Sequence, residues 1–203
     1  EGEICSMLMK QIKDGTEIVV IDPRRIDLAK KAKHWLQLRP GTDAALALGF
    51  LNVIIEEGLY DREFVGKWTH GFDELAAHVK DYHPEKVSGI TWVPADLIRQ
   101  AARAYAAAKP AAIQWGNPIE HNTQTFETTR ALICLMAITG NLDVPGGNVD
   151  PRDPKMLGLA PLVRADLIPD KRKEMIANFH GVIPRLMTNA PAFFRKAILE
   201  DKP

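Results

Sequence analysis

What this 203-residue chain lacks supports the first deductions. It has only two cysteines, Cys5 and Cys134, far apart in sequence. No Cys-x-x-Cys or Cys/His spacing is present, so a zinc or iron–sulfur site built by this chain is not expected, nor is a disulfide scaffold. Both cysteines lie in apolar, helix-like surroundings, which suit buried free thiols. Neither sign of charge dominates, since 26 Lys and Arg residues balance 26 Asp and Glu. A dedicated nucleic-acid binder normally carries a basic excess, so no nucleic-acid partner is expected, although a local basic pocket is compatible with the balance. The longest apolar stretch, Ala44–Ile55, is broken by Asn52 and is too short to span a bilayer, so no direct membrane insertion is expected. Gly-x-Gly-x-x-Gly, Gly-x-x-x-x-Gly-Lys-Ser/Thr, His-Glu-x-x-His and Gly-x-Ser-x-Gly are all missing. Readings as a nicotinamide-dependent dehydrogenase, a P-loop enzyme, a zinc protease or a serine hydrolase therefore lose their anchors.

What is present belongs to a folded domain: 46% hydrophobic and 26% charged residues argue against disorder. Ile4–Lys13 has a helical stripe (Ile4, Leu8, Ile12) stopped by Asp14-Gly15. Glu17–Ile21 is a β-branched run of the kind buried on both faces in a parallel sheet. Trp35–Leu38 and Ala111–Trp115 are further strand candidates, and Ile26–Lys33 is a basic helical turn or two. Helices are expected over Ala44–Glu57 with Thr42 as N-cap, over Asp61–Trp68 and Gly71–Tyr82 anchored by Phe64, Trp68, Phe72 and Tyr82, and over Phe126–Thr139 with Thr125 as cap. Another opens at Pro94 with a core stripe of Leu97, Ala101, Ala104 or Tyr105, and Ala108. Beyond Asn148 the prolines 151, 154 and 161 suggest an extended connector, followed by weak helical signals at 167–179 and 192–199. A boundary near Asn148 separates residues 1–148 from this irregular, helical extension (149–203). Strands alternating with helices predict an α/β layered domain with a mainly parallel sheet flanked by helices.

Ligands of such sheets bind beyond the carboxyl ends of the strands. That rule selects Asp22-Pro23-Arg24 and Gly116–Asn122. Asp22 can accept from ribose hydroxyls, or it can simply end a strand with an Asp-Pro turn. Arg24 offers a planar charged fork for phosphate or a base edge, or a surface ion pair. Asp43 lies just past the Gly41 turn at a helix start. A carboxylate there can accept both N1–H and N2–H of guanine, whereas adenine presents an acceptor at N1; helix-dipole complementarity is the plainer role. In Gly116–Asn122, Gly116 permits close backbone approach, and Asn117, His121 and Asn122 offer donors and acceptors.

Three stretches together carry a family resemblance: Ile21–Arg25 (Ile-Asp-Pro-Arg-Arg), Leu38–Leu46 (Leu-Arg-Pro-Gly-Thr-Asp-Ala-Ala-Leu) and Val53–Asp61. With Gly71-Phe72, Ile90-Thr91, the alanine-rich helix up to Lys109 and Leu142–Asn148, they resemble the molybdopterin oxidoreductases, a group that includes formate dehydrogenases, dimethyl sulfoxide reductase and acetylene hydratase. The resemblance implies a Rossmann-like domain for residues 1–148, which holds part of a molybdopterin guanine dinucleotide around molybdenum or tungsten. It implies cofactor contacts by Asp22, Pro23, Arg24, Gly41 and Asp43, with Asp43 reading guanine. It also places the loop with Gly116, Asn117 and His121 toward the cofactor, although Asn117-Pro118 and His121 depart from the Gly- and Gln-containing versions of the family. The metal ligand and iron–sulfur cysteines are expected elsewhere in a longer parent enzyme, leaving this segment non-catalytic. Its partners would be the remaining domains of that enzyme and electron-transfer subunits. A non-catalytic α/β interaction domain and a nucleotide-binding enzyme of another family are the alternatives.

Overall fold

Local stop signals set the first boundaries. The structure is a computed structural model that describes residues 2–149 and 199–200. Helix α1 (Gly2–Lys13) ends at Asp14-Gly15, whose amides return to the carbonyls of Lys10 and Ile12. Strand β1 (Val19–Ile21) is shorter than its β-branched run, and β2 (His34–Leu36) pairs with it in parallel, Val19 opposite His34 and Ile21 opposite Leu36. Only a 3-10 turn, Ala29–Lys31, forms between them. The expected burial of β1 on both faces is corrected. Val20 is buried, Val19 is half-buried and Ile21 is 43% exposed, because one neighbouring strand does not cover both faces.

Helix α2 (Asp43–Glu56) is the hub of a helical body. Its Leu51 and Ile54 are fully buried, each contributing roughly 1.5–3 kcal/mol on transfer from water. Asn52, the polar break in its apolar run, is buried because its amide donates to the Val79 carbonyl at 3.1 Å. Around α2 lie α3 (Arg62–Trp68), α4 (Phe72–Val79) with a 3-10 turn at Lys80–Tyr82, α5 (Pro84–Thr91), α6 (Ala95–Ala107), the single turn α7 (Asn117–Glu120) and α8 (Thr125–Ile138). Asp61 caps α3 by accepting from the Phe64 amide at 2.9 Å. Helix α5 was not foreseen; Pro84 opens it and the His83 ring accepts from the Lys86 amide.

Several local expectations are corrected. Trp68 is 75% exposed and anchors nothing. Of the expected stripe of α6, Ala101 is buried and Leu97 and Tyr105 pack partly buried against the core, while Ala108 is exposed; the fully enclosed residues include Ile98, Ala102 and Ala106 as well. Neither threonine caps its helix through its side chain: the Thr42 hydroxyl donates to the Arg39 carbonyl and the Thr125 hydroxyl to the carbonyls of Ile119 and Glu120.

Ala111–Trp115 does not form a strand. Asparagine side chains take the place of a ladder. The Ala111 amide donates to Asn141 Oδ1 (3.0 Å), and the Ile113 amide to Asn148 Oδ1 (2.8 Å). Asn148 Nδ2 returns a bond to the Ile113 carbonyl at 2.7 Å. Gly147 permits the close approach this clasp requires, since a Cβ there would lie 2.4 Å from the Asn141 carbonyl oxygen. The described residues therefore form a helix-rich body with a small parallel sheet of two strands. The expected extension, with its helices at 167–179 and 192–199, lies almost wholly outside them.

Candidate functional site

The rim of this small sheet is made by the turn residues beyond each strand. After β1, the Asp22 amide still donates to the Leu36 carbonyl at 3.3 Å, continuing the ladder by one bond. Asp22 Oδ1 then accepts from the Arg24 amide at 2.7 Å, an Asx turn that uses one carboxylate oxygen. The turn reading of Asp22 is thus correct for that oxygen; Oδ2 has no hydrogen-bond partner among the described residues. The Arg24 guanidinium is 81% exposed and only grazes Asp22, Nε to Oδ1 at 3.8 Å. An exposed pair of this kind contributes at most about 1 kcal/mol, so Arg24 remains available to a ligand. Pro23 lines a cleft of about 540 Å³ with Trp35, Leu38, Pro40 and Trp92. The turn is tied down from β2, since Trp35 Nε1 donates to the Asp22 carbonyl and Gln37 Nε2 to that of Pro23, both at 3.0 Å.

After β2, Arg39-Pro40-Gly41-Thr42 reverses the chain into α2. The Arg39 amide donates to the Thr91 carbonyl at 2.7 Å, fixing this turn to α5. Gly41 has φ +81, a left-handed conformation that favours glycine, and the Asn122 amide nitrogen lies 3.7 Å from where a Cβ would stand. The structure therefore brings the 116–122 segment against the Gly41 turn, through Asn122. Within that segment the expected polar loop is instead the turn α7. Gly116 sits at its start, and Asn117 and His121 are exposed without side-chain partners among the described residues.

Asp43 opens α2 and is half-buried. No other residue among those described hydrogen-bonds or ion-pairs with its carboxyl group, and burial pushes its pKa above the usual carboxylate value. Among the described residues only its own backbone amide donates to it, so this partly desolvated carboxylate keeps spare acceptor capacity. Gly41 and Thr42 line a second cleft, of about 1180 Å³, that runs between α2, α4 and α8 past Cys134. Cys134 is a half-buried free thiol whose pKa burial raises, as expected of an inert cysteine. Among the described residues no group of three or more His, Cys, Asp or Glu side chains is placed to hold a metal ion, and no helix is long and apolar enough to cross a membrane.

Sequence reasoning missed Trp35, Arg39 and Trp92. The Arg39 guanidinium lies 5.5 Å from the Trp92 ring centre, and Arg25 lies 5.6 Å from that of Trp35. Trp92 carries φ +67, a strained value no composition signal announces.

Residues 3–189 match the family model for molybdopterin oxidoreductases. The chain belongs to the molybdopterin oxidoreductase family. It is 46% identical over 148 residues to formate dehydrogenase H of Escherichia coli, covering 73% of this chain and 21% of that protein. It is 45% identical over 134 residues to acetylene hydratase of Syntrophotalea acetylenica, covering 66% of this chain and 18% of that protein. Among solved structures, acetylene hydratase from Pelobacter acetylenicus superposes with a TM-score of 0.70 at 37% identity, covering 84% of this chain and 24% of that one. The chain thus spans about a fifth of the length of these curated relatives. Membership of the molybdopterin oxidoreductase family leaves the alternative of a nucleotide-binding enzyme of another family without support.

Proposed function

We propose that this chain is the part of a molybdenum- or tungsten-dependent oxidoreductase that holds the guanosine end of molybdopterin guanine dinucleotide, on a Rossmann-like frame spanning residues 1–148. One observation carries the reading: Asp43 is a half-buried carboxylate at a helix start that, among the described residues, no group but its own backbone amide engages. Such a group fits a ligand edge with two adjacent N–H donors, which guanine has and adenine lacks. Asp22, through its free oxygen, and the exposed Arg24 suit ribose hydroxyls and phosphate, with Pro23 lining the adjacent cleft and Gly41 shaping the turn before Asp43. Gly116, Asn117 and His121 belong to the same cradle by way of Asn122 at Gly41. When bound, the metal–pterin group supplies oxygen-atom, hydride or electron transfer. This chain's residues orient its nucleotide tail and perform no bond-making step. The relatives named formate dehydrogenase and acetylene hydratase support a small-molecule substrate for the parent enzyme as part of this proposal. The metal ligand, an iron–sulfur cluster and contacts to electron-transfer subunits belong to the rest of that enzyme.

Calorimetric titration of the chain with GDP and ADP tests the guanine contact. GDP is expected to bind more tightly, and Asp43→Ala to weaken GDP by about tenfold or more while leaving ADP unchanged, the scale of one charge-assisted hydrogen-bond pair. Equal or tighter binding of ADP, or a GDP affinity untouched by the substitution, overturns the assignment.

A further inference from the structure

We propose that the cleft lined by Trp35 and Trp92 is a docking site for a separate polypeptide, which inserts proline flanked by glutamate or aspartate.

The first observation is a strained backbone. Trp92 ends α5 in the left-handed region, at φ +67. Glycine fills such a position without steric conflict, whereas a bulky residue there is an outlier. The fold holds it nonetheless. The Trp92 amide donates to the Ser88 carbonyl at 2.9 Å, and the Val93 amide to Thr91 Oγ1 at 3.3 Å. The result is an indole left 67% exposed. Strain retained to present a large ring to solvent points to a use outside the core.

The second observation is the chemistry of the cleft. Trp35 and Trp92 line it with Pro23, Pro40, Pro94 and Leu97. Its polar groups are mostly committed: Trp35 Nε1 donates to the Asp22 carbonyl and Gln37 Nε2 to that of Pro23. Trp92 Nε1 has no acceptor among the described residues. Flat apolar walls with an indole N–H to give suit an occupant that offers carbonyls and brings no N–H to strand. Proline is that residue, and its extended polyproline conformation is ordered before binding. Aromatic-lined grooves recognise such segments for this reason.

The third observation is charge. The guanidinium of Arg25 lies against Trp35 and that of Arg39 against Trp92. Neither has an ion-pair partner among the described residues, whereas Arg99 and Arg103 on the helical body pair with Glu85 and Glu57. The acids near the cleft are engaged: Asp96 with Arg99, Asp27 with Lys30, and Asp22 Oδ1 with the Arg24 amide. A guanidinium seated on a ring keeps its N–H edge for a carboxylate. Two such forks beside an apolar cleft complement proline with acidic neighbours. The nucleotide proposed above leaves this cleft free, since neither Gly41 nor Asp43 lines it.

Calorimetric titration of the full-length parent with acetyl-Glu-Pro-Pro-Glu-Pro-Pro-Glu-amide tests this. The peptide should bind, and bind less tightly as salt rises. Replacing its Glu by Lys, or its Pro by Ala, should weaken it about tenfold or more. Trp92→Gly should weaken it as much while leaving the thermal midpoint unchanged or higher, since glycine suits that backbone. Arg39→Ala should weaken it several-fold and flatten the salt dependence. No binding, equal binding of the Lys peptide, or an affinity untouched by Trp92→Gly overturns the proposal. So does binding by the 203-residue chain but not by the parent, which would mean that the parent covers its own cleft. Displacement of the peptide by GDP would assign the cleft to the nucleotide, and a dimer of the chain dissolved by Trp92→Gly would assign it to a second copy; either result also overturns it.

Discussion

The helical body around α2 and the rim beyond β1 and β2 obey opposite rules. In the body, every large side chain of the core is enclosed and even the polar Asn52 has its bond. At the rim, among the described residues, a half-buried carboxylate has no partner but its own backbone amide, an arginine is mostly exposed, and one strand edge has no neighbour. The body is where stability resides, and the rim is where this chain still has bonds to give. Substitutions should therefore separate into two classes: those that cost folding and those that cost binding.

The largest effect is expected in the body. Leu51→Ala removes a fully buried side chain and should cost about 3–5 kcal/mol, read as a lower urea midpoint. A loss below about 1 kcal/mol would show that α2 is not the hub of the fold. Next comes Asn148→Ala, which strips both bonds from Ile113; a loss of about 1–3 kcal/mol is expected, with the Ile113 amide becoming fast in exchange. An unchanged amide would mean the clasp does not hold Ala111–Trp115. The smallest effect belongs to Asp43→Asn. Burial raises the folded-state pKa of Asp43, so the cost of its charge is absent below the unfolded carboxylate value of 3.8 and fully present above the raised one. Relative to Asp43→Asn, the wild-type chain should lose a little stability as pH climbs through that window. A thermal-melt series from pH 3 to pH 7 showing the reverse slope would mean that a basic partner holds the carboxylate, and the guanine contact would lose its free acceptor.

Sequence reading worked where a signal was local. Asp14-Gly15 stops α1, and Asp22-Pro23 closes β1. It failed where a side chain had two uses. The hydroxyls of Thr42 and Thr125 went to preceding carbonyls instead of helix amides, and the buried face of α6 is wider than the expected stripe, taking in Ile98, Ala102 and Ala106. Ala111–Trp115 carried a strand signal, but its backbone groups bond to asparagine side chains instead of a neighbouring strand, and that choice is a tertiary matter. At the site, the motifs after each strand were legible as positions. That no other described residue bonds the Asp43 carboxylate, and that Asn122 rather than Asn117 or His121 reaches the Gly41 turn, depended on helices α2, α7 and α8 meeting in space.

The asparagine clasp changes the order in which such a domain can be assembled. Holding a residue extended costs about 1–2 kcal/mol of backbone freedom, which an ordinary edge strand surrenders only when its neighbour arrives. With Asn141 and Asn148 closed on alternate residues, Ala111–Trp115 has already surrendered much of it. Any partner that later meets Ala112 or Gln114 finds neighbours already fixed, so pairing there carries a low entropic penalty.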